Sequence, residues 1–195
     1  TDGIRAEVGQ YPMTAEMMLR LGQVLGVYFR RQNKQARILI GKDTRQSGYM
    51  LEQALSSGLC SVGVDTFLLG PLPTPGIAYL TRGLRAQAGI VISASHNPYQ
   101  DNGVKIFAGD GYKLADEVEA ELESMLFSKE EFSLQDSSAG FGKTKRIDDA
   151  LGQYAVFLKE KLPKHLSLDG FKIALDCAHG AAYKLAPKVF QELGA

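Results

Sequence analysis

The chain has 195 residues, 45% of them apolar and 23% charged, with 22 basic and 22 acidic side chains. That is ordinary globular composition, long enough for one large domain or one and a half ordinary ones. The balanced charge lacks the basic excess of a nucleic-acid binder, and no apolar run is long enough to span a bilayer. No nucleic-acid partner and no membrane partner are therefore expected.

Cys60 and Cys177 lie too far apart in sequence for a disulfide framework or a metal pattern and are expected to be buried thiols in a reducing cytoplasm. The chain starts at Thr1 without an initiating Met and stops at Ala195 without a tail, so it is expected to be a piece of a longer protein.

After Pro12, Thr14 can cap a helix that carries Met17, Met18, Leu21, Val24, Leu25, Tyr28 and Phe29 at helical spacing. Residues 37–41 read as a buried strand and 42–48 as a polar loop. A second helix, capped by Ser47, carries Leu51, Leu55 and Leu59. Residues 65–69 read as a strand, Pro71, Pro73 and Pro75 as a stiff turn, 77–84 as a short helix and 88–92 as another buried strand. Asn102-Gly103 is expected to form a tight turn leading into a short strand over 104–107. Asp116 is expected to cap a helix with Val118, Leu122, Met125 and Leu126.

Residues 128–145 read as surface loop near a domain boundary, followed by a linking helix through Leu151, Tyr154, Leu158 and Leu162. Residues 171–176 read as a new strand, 177–182 as a small-residue turn and Leu185, Val189 and Leu193 as a last helix. Strand–helix alternation of this kind predicts an α/β fold with a mixed, mostly parallel sheet sandwiched by helices. The expected division is a first domain over 1–147, then a linking helix and the opening of a second, similar α/β domain over 148–195.

Chemistry concentrates where the strand over 88–92 runs into Ser93-Ala-Ser-His-Asn-Pro98. Open α/β sheets place ligands at the carboxyl ends of their strands. Here two hydroxyls, an imidazole and an amide share one loop, and Lys105 is expected to return into the same pocket. A serine can carry a phosphoryl group, a lysine can neutralise or protonate it, and an imidazole can hydrogen-bond it.

Ser93-Ala-Ser-His-Asn-Pro98 followed by Asp101-Asn-Gly-Val-Lys105 resembles the phosphoserine loop of the α-D-phosphohexomutase superfamily. Thr1-Asp-Gly-Ile-Arg5 and Gly41-Lys-Asp-Thr-Arg-Gln-Ser-Gly48 resemble two further motifs of that family, in the same order. The resemblance implies an isomerase that moves phosphate within a sugar phosphate by way of a phosphoserine enzyme and a bisphosphate intermediate. The first motif together with Tyr99 after the serine loop favours glucosamine 6-phosphate and glucosamine 1-phosphate, with glucose and mannose phosphates as the sibling reading.

By the same resemblance Ser95 carries the phosphate, Ser93 supports it, His96 contacts phosphate or hydroxyl, Lys105 acts as general acid/base or charge stabiliser, and Arg5 approaches the phosphate. Arg45 is expected to pair with Asp43 and brace its loop. The implied cofactors are Mg2+, bound by Ser95 through its phosphate and by Asp ligands outside this chain, and a hexosamine or hexose 1,6-bisphosphate as activator. Gly109-Asp-Gly111 is the nearest approach to the family's metal motif and has a single carboxylate. His179, where relatives more often have Asn, and His165 receive no role. The 195 residues alone are expected to be inactive, and a homodimer is left open. A non-catalytic phosphosugar-binding module is the competing class. A dinucleotide binder ranks last because no G-x-G-x-x-G follows a strand.

Overall fold

The computed structural model describes residues 3–129, 131–132 and 140–195. One six-stranded sheet runs in the order β1-β5-β4-β2-β3-β6. Its strands are β1 (Ile4–Glu7), β2 (Arg37–Lys42), β3 (Asp65–Pro71), β4 (Ala88–Ile92), β5 (Asp101–Ala108) and β6 (Thr144–Arg146). The helices are α1 (Ala15–Gln32), α2 (Ser47–Ser61), α3 (Thr74–Gly83), α4 (Asp116–Phe127), α5 (Ala150–Lys159) and α6 (Leu185–Glu192). β4, β2, β3 and β6 pair in parallel, whereas β5 lies antiparallel to both β4 and β1.

Alternation along the strands splits the apolar residues between two cores, giving the expected helix–sheet–helix sandwich. Ile38, Ile40, Ala88, Ile90, Ile92 and Val104 face one core together with residues of α1, α2 and α4. Leu39, Leu69 and Val91 face the other with residues of α3, α5 and α6.

α1 begins as its sequence dictates, with the Thr14 hydroxyl accepting from the Met17 N–H at 3.3 Å. Its basic last turn, Arg30 and Arg31, complements the helix dipole. α1 and α2 approach closely through two glycines: a Cβ at Gly22 would run into the Leu55 carbonyl oxygen, and one at Gly58 into that of Leu19. Arg20 on α1 donates to the Leu126 carbonyl at 2.6 Å and so ties down the last turn of α4.

Several expectations for local structure are corrected. Asn102-Gly103 is not a turn but lies inside β5, opposite Ala6 and Arg5 of β1, a strand the sequence did not suggest. Ser47 does not cap α2. The N-cap is Gln46, and the Ser47 hydroxyl instead accepts from the Asn102 amide at 2.9 Å. The N-cap of α4 is Ala115, and Asp116 accepts from the Lys113 ammonium at 2.9 Å. Residues 144–145 belong to β6, which the polar sequence hid. Part of the preceding segment, residues 130 and 133–139, lies outside the described residues.

Residues 171–176 form no strand, because no ladder partner lies beside them among the described residues, and Phe171, Ile173 and Leu175 stay exposed. α5 ends at Lys159, short of Leu162. Cys60 and Cys177 are both free and half-buried rather than buried. His165 is exposed, as expected.

The last residue of β2 is charged yet has no exposed surface. Lys42 is 0% exposed, its ammonium is paired with the Glu52 carboxylate of α2 and it lies 4.1 Å over the Tyr49 ring. Glu52 Oε1 has no hydrogen-bond partner. A buried ion pair contributes little net stability, but removing one partner strands the other charge. Lys42→Met is therefore expected to lower the unfolding free energy by about 3–5 kcal/mol in urea denaturation. The double variant Lys42→Met/Glu52→Leu is expected to recover most of that loss. A single variant as stable as the parent would overturn the account.

Candidate active site

The carboxyl ends of β2 and β4 carry two loops that meet. Asp43 follows β2 directly, and its N–H donates to the Ile92 carbonyl of β4 at 3.0 Å. Ser93 follows β4. Its hydroxyl donates to Asp43 Oδ2 at 2.7 Å and accepts from the Ser95 N–H at 3.0 Å. The Ser93 proton is thus committed to Asp43, so Ser93 supports Ser95 through the backbone.

Ser95 has φ of +58°, a left-handed conformation that an L-residue adopts at a cost of about 1–3 kcal/mol. Its side chain is exposed at the mouth of a cleft of about 810 Å³. The His96 ring is also exposed, with Nδ1 3.4 Å from Ser95 Oγ.

Arg45 braces this loop more extensively than a pair with Asp43 would. Its Nε donates to Asp43 Oδ2 at 3.0 Å, and its terminal nitrogens donate to four carbonyls of the Ser95 loop. The Asn97 amide closes the loop's base on Asp101 Oδ2 at 2.9 Å.

The far wall of the cleft is the turn over 177–182, drawn in from the end of the chain. The Thr44 hydroxyl donates to the His179 carbonyl, a contact across 135 residues. The Asp176 carboxylate accepts from Ala178 N–H at 2.8 Å and holds Ala178 at φ of +44°. His179, assigned no role from the sequence, is among the residues lining the cleft. What positions the wall is its main chain, which no residue type could announce.

Lys105 and Arg5 are not among the residues lining the cleft. They lie one and two strands away on the same sheet face as Val91. Lys105 is paired with Val91, and Arg5 with Gly103, whose carbonyl accepts from Ser93 N–H at 2.8 Å. Arg5 Nε is buried and has no hydrogen-bond partner within the protein. A Cβ at Gly3 would sit 2.9 Å from Lys105 Cγ, so the lysine stem lies against the residue that precedes β1.

Among the described residues no three His, Cys, Asp or Glu side chains converge. The described residues alone do not supply a full ligand set for Mg2+.

A family model described as phosphoglucomutase/phosphomannomutase, alpha/beta/alpha domain I, matches residues 1–133, and the chain belongs to that family. More particularly, the chain is similar to phosphoglucosamine mutases. That of Citrifermentans bemidjiense is 58% identical over 195 residues, which is all of this chain and 43% of the relative. That of Anaeromyxobacter sp. (strain Fw109-5) is 59% identical over 199 residues, covering 42% of the relative. Among solved structures, a phosphoglucomutase/phosphomannomutase family protein from Burkholderia thailandensis has a TM-score of 0.79 at 25% identity, covering 98% of this chain and 41% of that one. The chain spans less than half the length of these relatives.

Gly103 is a tight spacer in the site. A Cβ there would come within 2.7 Å of the Ser93 carbonyl and 3.0 Å of Arg5 Cγ. Gly103→Ala is expected to cost about 1–3 kcal/mol of stability through overpacking. It should also shift the amide resonances of Ser93 and Arg5 more than those of α2. An unperturbed spectrum with unchanged stability would show that the row has slack.

Proposed function

We propose that the chain is the phosphoserine-bearing part of a phosphoglucosamine mutase, interconverting glucosamine 6-phosphate and glucosamine 1-phosphate. The observation that supports it most is the Ser95 hydroxyl, held out at the mouth of a large cleft beside an imidazole. The substrate class comes from relatives named phosphoglucosamine mutase that are 54% to 59% identical across the whole chain.

In the first half-reaction a sugar hydroxyl attacks the phosphorus on Ser95. The phosphorus–Oγ bond breaks, and the hydroxyl's proton ends on Ser95 Oγ. The product is a bisphosphate. After reorientation its other phosphate passes to Ser95 Oγ, and the Ser95 proton goes to the departing sugar oxygen. Both transfers gather negative charge at one place, so preorganised donors matter more than covalent chemistry.

His96 Nδ1, 3.4 Å from Oγ, contacts the phosphate or the hydroxyl. The unpartnered Nε of Arg5 is a donor suited to a phosphate oxygen. Lys105 adds a positive charge from the neighbouring row, as general acid/base or charge stabiliser. Mg2+ would neutralise phosphate charge, drawing only Ser95 phosphate oxygens from this chain, with a hexose or hexosamine 1,6-bisphosphate priming the serine. Glucose and mannose phosphates are the second reading, favoured by the family model and the solved relative. No helix among the described residues is long and apolar enough to cross a membrane.

The test is the intact mass of the full-length protein before and after incubation with a hexose 1,6-bisphosphate and Mg2+. One added phosphate on the Ser95 peptide is expected, lost in Ser95→Ala. Turnover is expected to be fastest with glucosamine phosphates among the three sugars. No phosphate in a folded sample would replace the mutase by a non-catalytic phosphosugar-binding module.

A further inference from the structure

Ser95 sits in a loop that has little reason to hold its shape. Residues 95–96 and 98–100 are exposed, and Ser95 occupies a backbone region that costs energy. No apolar side chain of the loop beyond Ala94 is buried. Packing alone would leave such a segment mobile.

Arg45 supplies what packing does not. Each of its five guanidinium N–H donors has an acceptor. Nε donates to Asp43 Oδ2 at 3.0 Å. One terminal nitrogen donates to the Pro98 carbonyl at 2.6 Å and the Asp101 carbonyl at 3.0 Å. The other donates to the Ser95 carbonyl at 3.1 Å and the Asn97 carbonyl at 2.8 Å.

The planar fork itself is fixed. Asp43 Oδ1 accepts from the Arg45 N–H at 2.9 Å, and the Arg45 side chain is only 12% exposed. Asp43 in turn receives the Ser93 hydroxyl, whose oxygen accepts from the Ser95 N–H. Ser95 is thus held on both sides of its Cα, by its N–H through Ser93 and Asp43 and by its carbonyl through Arg45.

We propose that Arg45 is the positioning residue of the transfer step: with Asp43 and Ser93 it holds Ser95 in its left-handed conformation and aims Oγ into the cleft. The inference rests on the reading of Ser95 as the phosphoryl carrier. Arg45 does not touch the phosphate in this role. Its charge is met by Asp43 and by loop carbonyls, which leaves Arg5 and Lys105 as the cations for the phosphoryl group.

A lysine at position 45 keeps the charge but has three donors on a tetrahedral nitrogen. It cannot reach four carbonyls and a carboxylate at once.

In full-length Arg45→Lys, kcat is expected to fall about 100-fold with KM nearly unchanged, because a misplacement near 1 Å costs transfer rather than binding. Hydrogen exchange at the Ser95, Asn97 and Asp101 amides is expected to speed up at least about tenfold, with β4 unaffected, since only the loop loses its tie. Ser93→Ala, a smaller change in the same network, is expected to act in the same direction and decides the matter should Arg45→Lys not fold.

Wild-type kcat in both variants, or faster exchange spread through the whole sheet in both, would overturn the proposal. A wild-type protein that takes no phosphate on Ser95 would remove the phosphoserine reading itself. A phosphorylated wild type with an unaltered Arg45→Lys removes only the role of Arg45.

Discussion

The reversal of a single strand organises this molecule. β4 leaves the sheet at its carboxyl end, and β5 returns antiparallel along it, so residues 93–100 must close a loop where the parallel strands also end. A crossover helix after β4 would have carried the chain away from that end. The hairpin keeps it there and brings Gly103 and Lys105 back beside Ser93 and Val91. It also creates room for β1 on the far side of β5, and β1 carries Arg5. The serine, the imidazole and both cations therefore share one end or one face of the sheet through one topological choice.

Two kinds of charged group are built into that frame and do different work. Lys42 and Asp43 are neighbours, yet one is sealed beneath α2 with Glu52 and the other opens toward the cleft. Alternation along the strand separates them: Lys42 faces the helix pair, while Asp43 begins the loop. At the opposite end of the second core, Lys159 and Lys188 hold the Glu192 carboxyl down to about 2, fastening α6 to α5.

Much of this was readable in advance. The helical periodicities of α1, α2 and α6 and the apolar runs of β2 and β4 announced themselves, and so did the serine loop, because packing demands and turn chemistry are local. The failures have physical causes. β1 and β6 are short strands rich in charged residues, recruited by neighbours distant in sequence rather than by their own propensity.

Asn102-Gly103 has the composition of a hairpin turn. The sheet uses Gly103 for close approach and buries Asn102 to bond Ser47, so tertiary demand overrode local preference. The pairing of Arg45 with Asp43 was legible from their spacing. Its four carbonyl acceptors were not, because a carbonyl is present at every residue and marks none.

That last property has an evolutionary side. Arg45 grips the main chain of the serine loop and none of its side chains. The side chains of Tyr99 and Gln100 are exposed at the loop's rim, and what Gln100 gives the loop is its main-chain carbonyl, which accepts from the Val8 N–H at 3.0 Å. Mutational drift at those two positions can alter what the cleft's mouth presents to a ligand without loosening the serine behind it. The rim is thereby free to be retuned for new substrates while the reactive centre stays fixed.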